Sequence, residues 1–127
     1  MEIIQLGKKI LFVDDSPSMR KVMFDAMTAQ NFDVTTAVDG LDGVTKLELS
    51  RYDLIISDLN MPNMNGIEFI KKVKEHHENK FAHIIMLTTD SNNEMKNQGK
   101  AVGVNVWVVK PFREEQLVAV VNKLLCT

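Results

Sequence analysis

Asp14 and Asp15 stand side by side after the apolar run at 10–13, and Asp58 follows Leu54, Ile55, Ile56 and Ser57. Thr88, Thr89 and Asp90 follow the run at 84–87, and Lys110-Pro111 follows the run at 104–109. Each of these runs therefore ends in a group that handles charge: carboxylates, a hydroxyl or an ammonium. If folding gathers the ends on one rim, the carboxylates repel. Two of them about 4 Å apart cost roughly 4 kcal/mol at an effective dielectric of about 20. A bound proton or a cation must offset that repulsion. Hard oxygen donors with no Cys or His beside them favour Mg²⁺, with Mn²⁺ able to take its place. Magnesium keeps several waters and leaves coordination positions for phosphate oxygens. Taken singly, each residue has a plainer reading. Asp14 and Asp15 are common turn and helix-start residues, Asp58 a strand-end carboxylate, Thr88 a β-branched strand residue and Lys110 a solvated charge. The conjunction, in order at four strand ends, is what points to a site.

A repeating β-α pattern must position these groups. Apolar, β-rich runs at 10–13, 32–37, 54–56, 84–87 and 104–109 alternate with segments of helical spacing. Such short, nearly continuous runs suit strands covered on both faces. Ser16 caps the first helix, with Pro17 in its first turn, and Met19, Val22, Met23, Ala26 and Met27 form its inward stripe. Asp39 opens a second helix carrying Leu41, Val44 and Leu47, and Asn65 caps a third carrying Ile67, Ile70 and Val73. The last helix carries Leu117, Val120, Val121, Leu124 and Leu125. Methionines in these stripes read as core filler rather than ligands. The fourth helix, at 91–102, is the weakest: three asparagines and Gly99 each lower helix propensity by up to about 1 kcal/mol relative to alanine, and Gly103 ends it. It reads either as a short solvated helix or as an element that shifts at little cost. Five such units imply an α/β fold, a doubly wound five-stranded parallel sheet with right-handed crossovers and helices on both faces. Ligands of such sheets sit beyond the carboxyl ends of the strands, where the charged groups fall.

The 127 residues suit one domain, so 1–127 is expected to be a single unit with no output domain. A net charge of −2 supplies no field that would draw the chain to nucleic acid or anionic lipid. No stretch approaches the roughly 20 apolar residues that span a bilayer, and the N-terminus lacks the features of a secretory signal. Cys126 is the single cysteine, so no internal disulfide forms. A cytoplasmic protein is expected.

Val13-Asp14-Asp15-Ser16, Ser57-Asp58-Leu59-Asn60-Met61-Pro62, Asn65-Gly66, Leu87-Thr88-Thr89 and Val109-Lys110-Pro111-Phe112 resemble the motifs of response-regulator receiver domains. The resemblance runs from about Lys9 to Leu125 and is closest in kind to the stand-alone chemotaxis type, CheY-like. It implies a flavodoxin-like sheet of strand order 2-1-3-4-5. It implies that Asp58 accepts a phosphoryl group from a histidine kinase's phosphohistidine. Asp15 then matches a direct Mg²⁺ ligand, Asp14 one acting through water, and Asn60 the position whose backbone carbonyl also binds the metal. Lys110 matches the lysine that pairs with phosphoryl oxygens, and Thr88 the hydroxyl that moves to bond them. Asn60 and Asp90 occupy the positions that tune hydrolysis of the acyl phosphate. Trp107 stands where the family carries an aromatic switch residue, often a tyrosine. Plain core packing and a partner-facing ring remain open for it. The Lys110-Pro111 bond is cis in family members. The expected partner face is the fourth helix, fifth strand and fifth helix, with Asn92, Asn93, Met95, Lys96, Trp107, Val118 and Lys123. In the chemotaxis type it meets a CheA-like kinase and the flagellar motor switch. A phosphatase is a further implied partner, nucleic acid and membrane are not, and the chain is expected to be a monomer and not an enzyme in the turnover sense.

Other functions fit less well. A flavodoxin-like cofactor binder needs a first loop of hydroxyls and backbone donors for phosphate, whereas Asp14-Asp15 repels it. A Mg²⁺-dependent aspartate-nucleophile phosphohydrolase typically has Asp-x-Asp, and here Asp58-Leu59-Asn60 lacks the second carboxylate. A phosphorelay intermediate or phosphate sink shares every motif and stays open. An inactive relative is disfavoured because the expected site residues are present. His76, His77 and His83 are not expected to bind metal, and Gly40 and Gly43 lack the spacing of a phosphate loop.

Overall fold

Five strands form one parallel sheet: β1 Lys9–Val13, β2 Asp33–Ala37, β3 Leu54–Asp58, β4 His83–Thr88 and β5 Val106–Val109. Their order is β2-β1-β3-β4-β5. The connections are α1 Pro17–Thr28, α2 Gly40–Leu47, α3 Gly66–Glu75, α4 Asn93–Val102 and, after β5, α5 Glu114–Leu125. This is a computed structural model, and it describes residues 7–89 and 93–125. The doubly wound α/β fold expected from the β-α pattern is the one observed.

Side chains alternate across a strand, so the sheet builds two cores. Leu11, Val13, Ile55, Ile84 and Met86 face α2 and α3, where they meet Leu47, Ile67, Phe69, Ile70 and Val73. Ile10, Phe12, Ile56, Ile85 and Leu87 face α1 and α5, where they meet Met23, Met27, Leu117, Val121 and Leu125. The central strands β1, β3 and β4 are buried almost throughout, while β2 and β5, at the edges, are half-covered.

Caps set where the helices begin. The Ser16 side chain accepts the Met19 N–H at 3.3 Å, with Pro17 as the first helical residue. Asp39 accepts the Asp42 N–H at 2.8 Å. Asn65 and Glu68 form a reciprocal capping box, at 2.9 and 3.0 Å. α4 begins at Asn93 among the described residues, and Gly103 follows it at φ +102°, a left-handed conformation suited to glycine.

Two expected inward residues point elsewhere. Val22 is 44% exposed and Leu41 53%. In α2 the buried positions are Gly40, Gly43 and Leu47. A Cβ on Gly43 would stand 2.7 Å from the Phe69 ring, and one on Gly40 3.0 Å from Met64. Beside Leu47 and Val44, the inward face of α2 therefore carries two missing side chains that leave room for Met64 and for Phe69 of α3, and Leu41 is turned off it.

Gly99 has the same explanation. It is the buried residue of α4, and a Cβ there would collide with Cζ2 of Trp107 in β5. The large indole is accommodated by the side chain that Gly99 lacks. Gly99→Ala should therefore destabilise the protein. Overpacking costs about 1–3 kcal/mol, against a helix-propensity gain of up to about 1 kcal/mol. Chemical denaturation checks this, and Trp107 emission should shift with it.

Candidate functional site

The strand register levels the acidic residues. Val13 pairs with Ser57 across β1 and β3, so Asp14 and Asp58 follow side by side at the carboxyl ends. Asp58 pairs with Leu87, and Thr88 with Val109, which brings Thr88 and Lys110 to the same rim. The rim lies where the chain order reverses, since β1 has β2 on one side and β3 on the other.

Asp14, Asp15 and Asp58 each offer a carboxylate oxygen, and these oxygens lie within 4.8 Å of one another. Asp14 is fully buried, Asp58 6% exposed and Asp15 exposed. Lys110 Nζ stands 3.2 Å from Asp58 Oδ1 and 3.5 Å from Asp14 Oδ2. Thr88 is buried at the end of β4, and its carbonyl accepts the Lys110 N–H at 2.8 Å. The Lys110–Pro111 peptide bond is cis. Lys110 thus pairs with two of the three clustered carboxylates, Asp58 and Asp14. The Asp58 carboxyl is pushed above the ordinary carboxylate range, first by burial and then by the Asp14 charge, with Lys110 opposing and Asp15 adding. The donor set is all hard oxygen, underneutralised and open on the Asp15 side. It fits a divalent cation of the magnesium class.

Two residues without an assigned role in the sequence support this cluster. Arg20 Nη1 donates to the Asp14 carbonyl at 2.8 Å. Helical side chains lean toward the helix N-terminus, which lets an arginine in the first turn of α1 reach back over the β1–α1 turn. Gly66 opens α3 against the site strand: a Cβ there would lie 2.6 Å from the Asp58 carbonyl and 2.6 Å from Met86 Sδ. Its N–H donates to the Leu59 carbonyl at 2.8 Å.

Asn60 is exposed in the β3–α3 loop, two residues past Asp58. Asp90, Ser91, Asn92 and Cys126 lie outside the described residues. Of the expected partner face, Asn93 and Lys123 are exposed, and Met95, Lys96 and Trp107 are half-buried. Met95 and Trp107 pack on the α2/α3 side of the sheet. Val118 does not join them. It packs on the α1/α5 side and lines a cavity of about 470 Å³ between those helices with Ala26, Ala29 and Ala119. His76 caps α3, 3.2 Å from Asn79 Nδ2 and 3.5 Å from Glu48, and is not part of the acidic cluster. Among the described residues no helix is long and apolar enough to cross a membrane.

The family model of the response regulator receiver domain matches residues 10–122. Chemotaxis protein CheY-3 of Vibrio cholerae is 32% identical over 123 residues, which cover 96% of this chain and 95% of the relative. The structure of Vibrio cholerae chemotaxis protein CheY4 matches with a TM-score of 0.88 at 43% identity, over 93% of this chain and 98% of that one. Response regulator protein TrrA of Thermotoga maritima, in complex with Mg²⁺-BeF, matches with a TM-score of 0.80 at 32% identity, over 93% and 99%.

The raised Asp58 pKa has a consequence for stability. The folded protein holds the Asp58 proton more tightly than the unfolded chain, so ionisation opposes folding. The penalty is absent below the ordinary carboxylate pKa and complete above the raised one. Without divalent cations at neutral pH, Asp58→Asn should therefore raise the thermal midpoint above that of the wild type. The gap should close as pH falls through the carboxylate range, as followed by circular dichroism.

Proposed function

The chain belongs to the response regulator receiver domain family, and on that premise we propose that it is a switch of a two-component system that takes a phosphoryl group on Asp58. The observation that carries this is the cluster of Asp14, Asp15 and Asp58 with oxygens within 4.8 Å and Lys110 at 3.2 Å from Asp58. Asp15 and Asp58 would hold Mg²⁺, with Asp14 acting through water and the Asn60 backbone carbonyl as a further donor. Mn²⁺ is an acceptable substitute. The bound ion supplies the neutralisation that admits a phosphoryl donor among three carboxylates.

The residues then have separable tasks. An Asp58 carboxylate oxygen attacks phosphorus as the phosphohistidine P–N bond breaks, and the imidazole leaves with the electron pair and takes up a proton. Lys110 is already aimed at Asp58 and stays with the phosphoryl oxygens. Thr88 supplies its hydroxyl to the same group. Attack of water on phosphorus regenerates the Asp58 carboxylate and releases phosphate, at a rate set in part by Asn60 and Asp90. The chain is in this sense a substrate and timer rather than an enzyme with turnover on a second molecule.

Output is a population shift carried toward α4, β5 and α5. Lys110 follows β5 directly, its N–H is bonded to the Thr88 carbonyl, and Trp107 in the same strand rests on Gly99 of α4. The face used would comprise Asn92, Asn93, Met95, Lys96, Trp107 and Lys123. The likeness to CheY-3 and CheY4 favours chemotaxis, with a CheA-like kinase as donor and the flagellar motor switch as target, in the cytoplasm.

The test is Trp107 fluorescence during titration with beryllofluoride or acetyl phosphate, with and without Mg²⁺. A Mg²⁺-dependent change in the wild type, lost in Asp58→Asn, is expected. A wild-type signal indifferent to both reagents contradicts the switch.

A further inference from the structure

The turn between β1 and α1 carries two of the three clustered carboxylates, and one peptide unit joins them. Every polar group of Asp14 is engaged. Its N–H donates to the Ala37 carbonyl at 3.2 Å, its Oδ1 accepts the Ser16 N–H at 2.9 Å, and its Oδ2 lies 3.5 Å from Lys110 Nζ. Its carbonyl accepts from Arg20 Nη1 at 2.8 Å. That carbonyl belongs to the planar unit that continues into the Asp15 nitrogen. Holding it fixes the plane from which the Asp15 side chain departs. The Arg20 side chain is half-buried, and its own N–H is tied to the Ser16 carbonyl at 3.0 Å. The brace therefore starts from a fixed point in the first turn of α1.

We propose that Arg20 is a positioning residue for the metal site: its guanidinium clamps the Asp14–Asp15 peptide so that the Asp15 carboxylate faces Asp58 before a cation arrives. The assignment rests on the metal reading above. It makes a prediction of sign, because Arg20 has two opposite effects on a divalent ion. As a permanent positive charge near the cluster it repels the ion. As a donor to the backbone of the ligand turn it preorganises the site, as outer-shell partners of metal ligands do. The geometry favours the second effect, because the guanidinium is spent on a carbonyl and not on a carboxylate the ion needs.

The experiment is Mg²⁺ titration by calorimetry on the full chain, as wild type, Arg20→Met and Arg20→Lys, with denaturation midpoints measured in chelator. Arg20→Met keeps the length and loses charge and donors, and Arg20→Lys keeps the charge and a single donor group. Arg20→Met should bind Mg²⁺ about tenfold more weakly than wild type, with Arg20→Lys in between. A loss of stability alone would lower the midpoint and leave Mg²⁺ affinity of the folded protein unchanged. Equal or tighter binding by Arg20→Met overturns the assignment, since charge removal then outweighs the lost brace. If Arg20→Met does not fold, Arg20→Lys carries the test, and wild-type affinity in it overturns the assignment. A wild type that binds no Mg²⁺ fails the metal reading itself, and the role of Arg20 with it. Tight wild-type binding that survives in Arg20→Met removes the role of Arg20 alone.

Discussion

The structure turns on the enforced closeness of like charges. Backbone pairing between β1 and β3 sets Asp14 level with Asp58, and the turn after β1 adds Asp15. Asp14 and Asp58 cannot escape by rotation into solvent, because Asp14 is fully buried and held on every polar atom and Asp58 is 6% exposed. Sheet hydrogen bonds and two hydrophobic cores thus hold together what electrostatics would separate. A carboxylate raised above its ordinary pKa by burial and by its neighbour records that tension. Lys110 offsets part of it, and a divalent cation is the natural complement of the rest.

The same backbone ties the cluster to a distant surface. The Lys110 N–H is bonded to the Thr88 carbonyl, so the hydroxyl-bearing end of β4 and the ammonium-bearing end of β5 are joined side by side. Three residues back along β5, Trp107 lies on Gly99. A tryptophan at this place needs a glycine opposite, and the two together make α4 and β5 a close-fitting joint. A change in charge at the strand ends therefore meets a packed contact and not a loose surface.

Much of this was legible in the residues. The alternation of apolar runs with helical spacing gave the order of elements, and the polar groups at the ends of four of the five runs pointed to the cluster. Ser16, Asp39 and Asn65 cap the helices as their chemistry suggests. What stayed hidden depended on side chains that are absent or that reach across elements. Leu41 looked inward because apolar periodicity counts methyl groups, whereas α2 packs through Gly40 and Gly43. Gly99 looked like a weakness of α4 until Trp107 was found against it. Val118 shares α5 with Lys123 yet faces α1, a distinction that spacing alone did not draw. Arg20 left no signal of its own, since a bond to a carbonyl six residues back follows no motif. Strand limits moved by one or two residues: β3 runs on to Asp58, and β5, an edge strand half-covered by helices, starts at Val106.

The central claim is that three carboxylates from two strand ends form one cation site. Anomalous diffraction from crystals soaked in Mn²⁺ addresses it without reliance on catalysis or fluorescence. The account predicts a manganese peak in contact with Asp15 and Asp58, lost when Asp58 is replaced by alanine. A peak elsewhere with the cluster empty, or a peak that persists in Asp58→Ala, would contradict it.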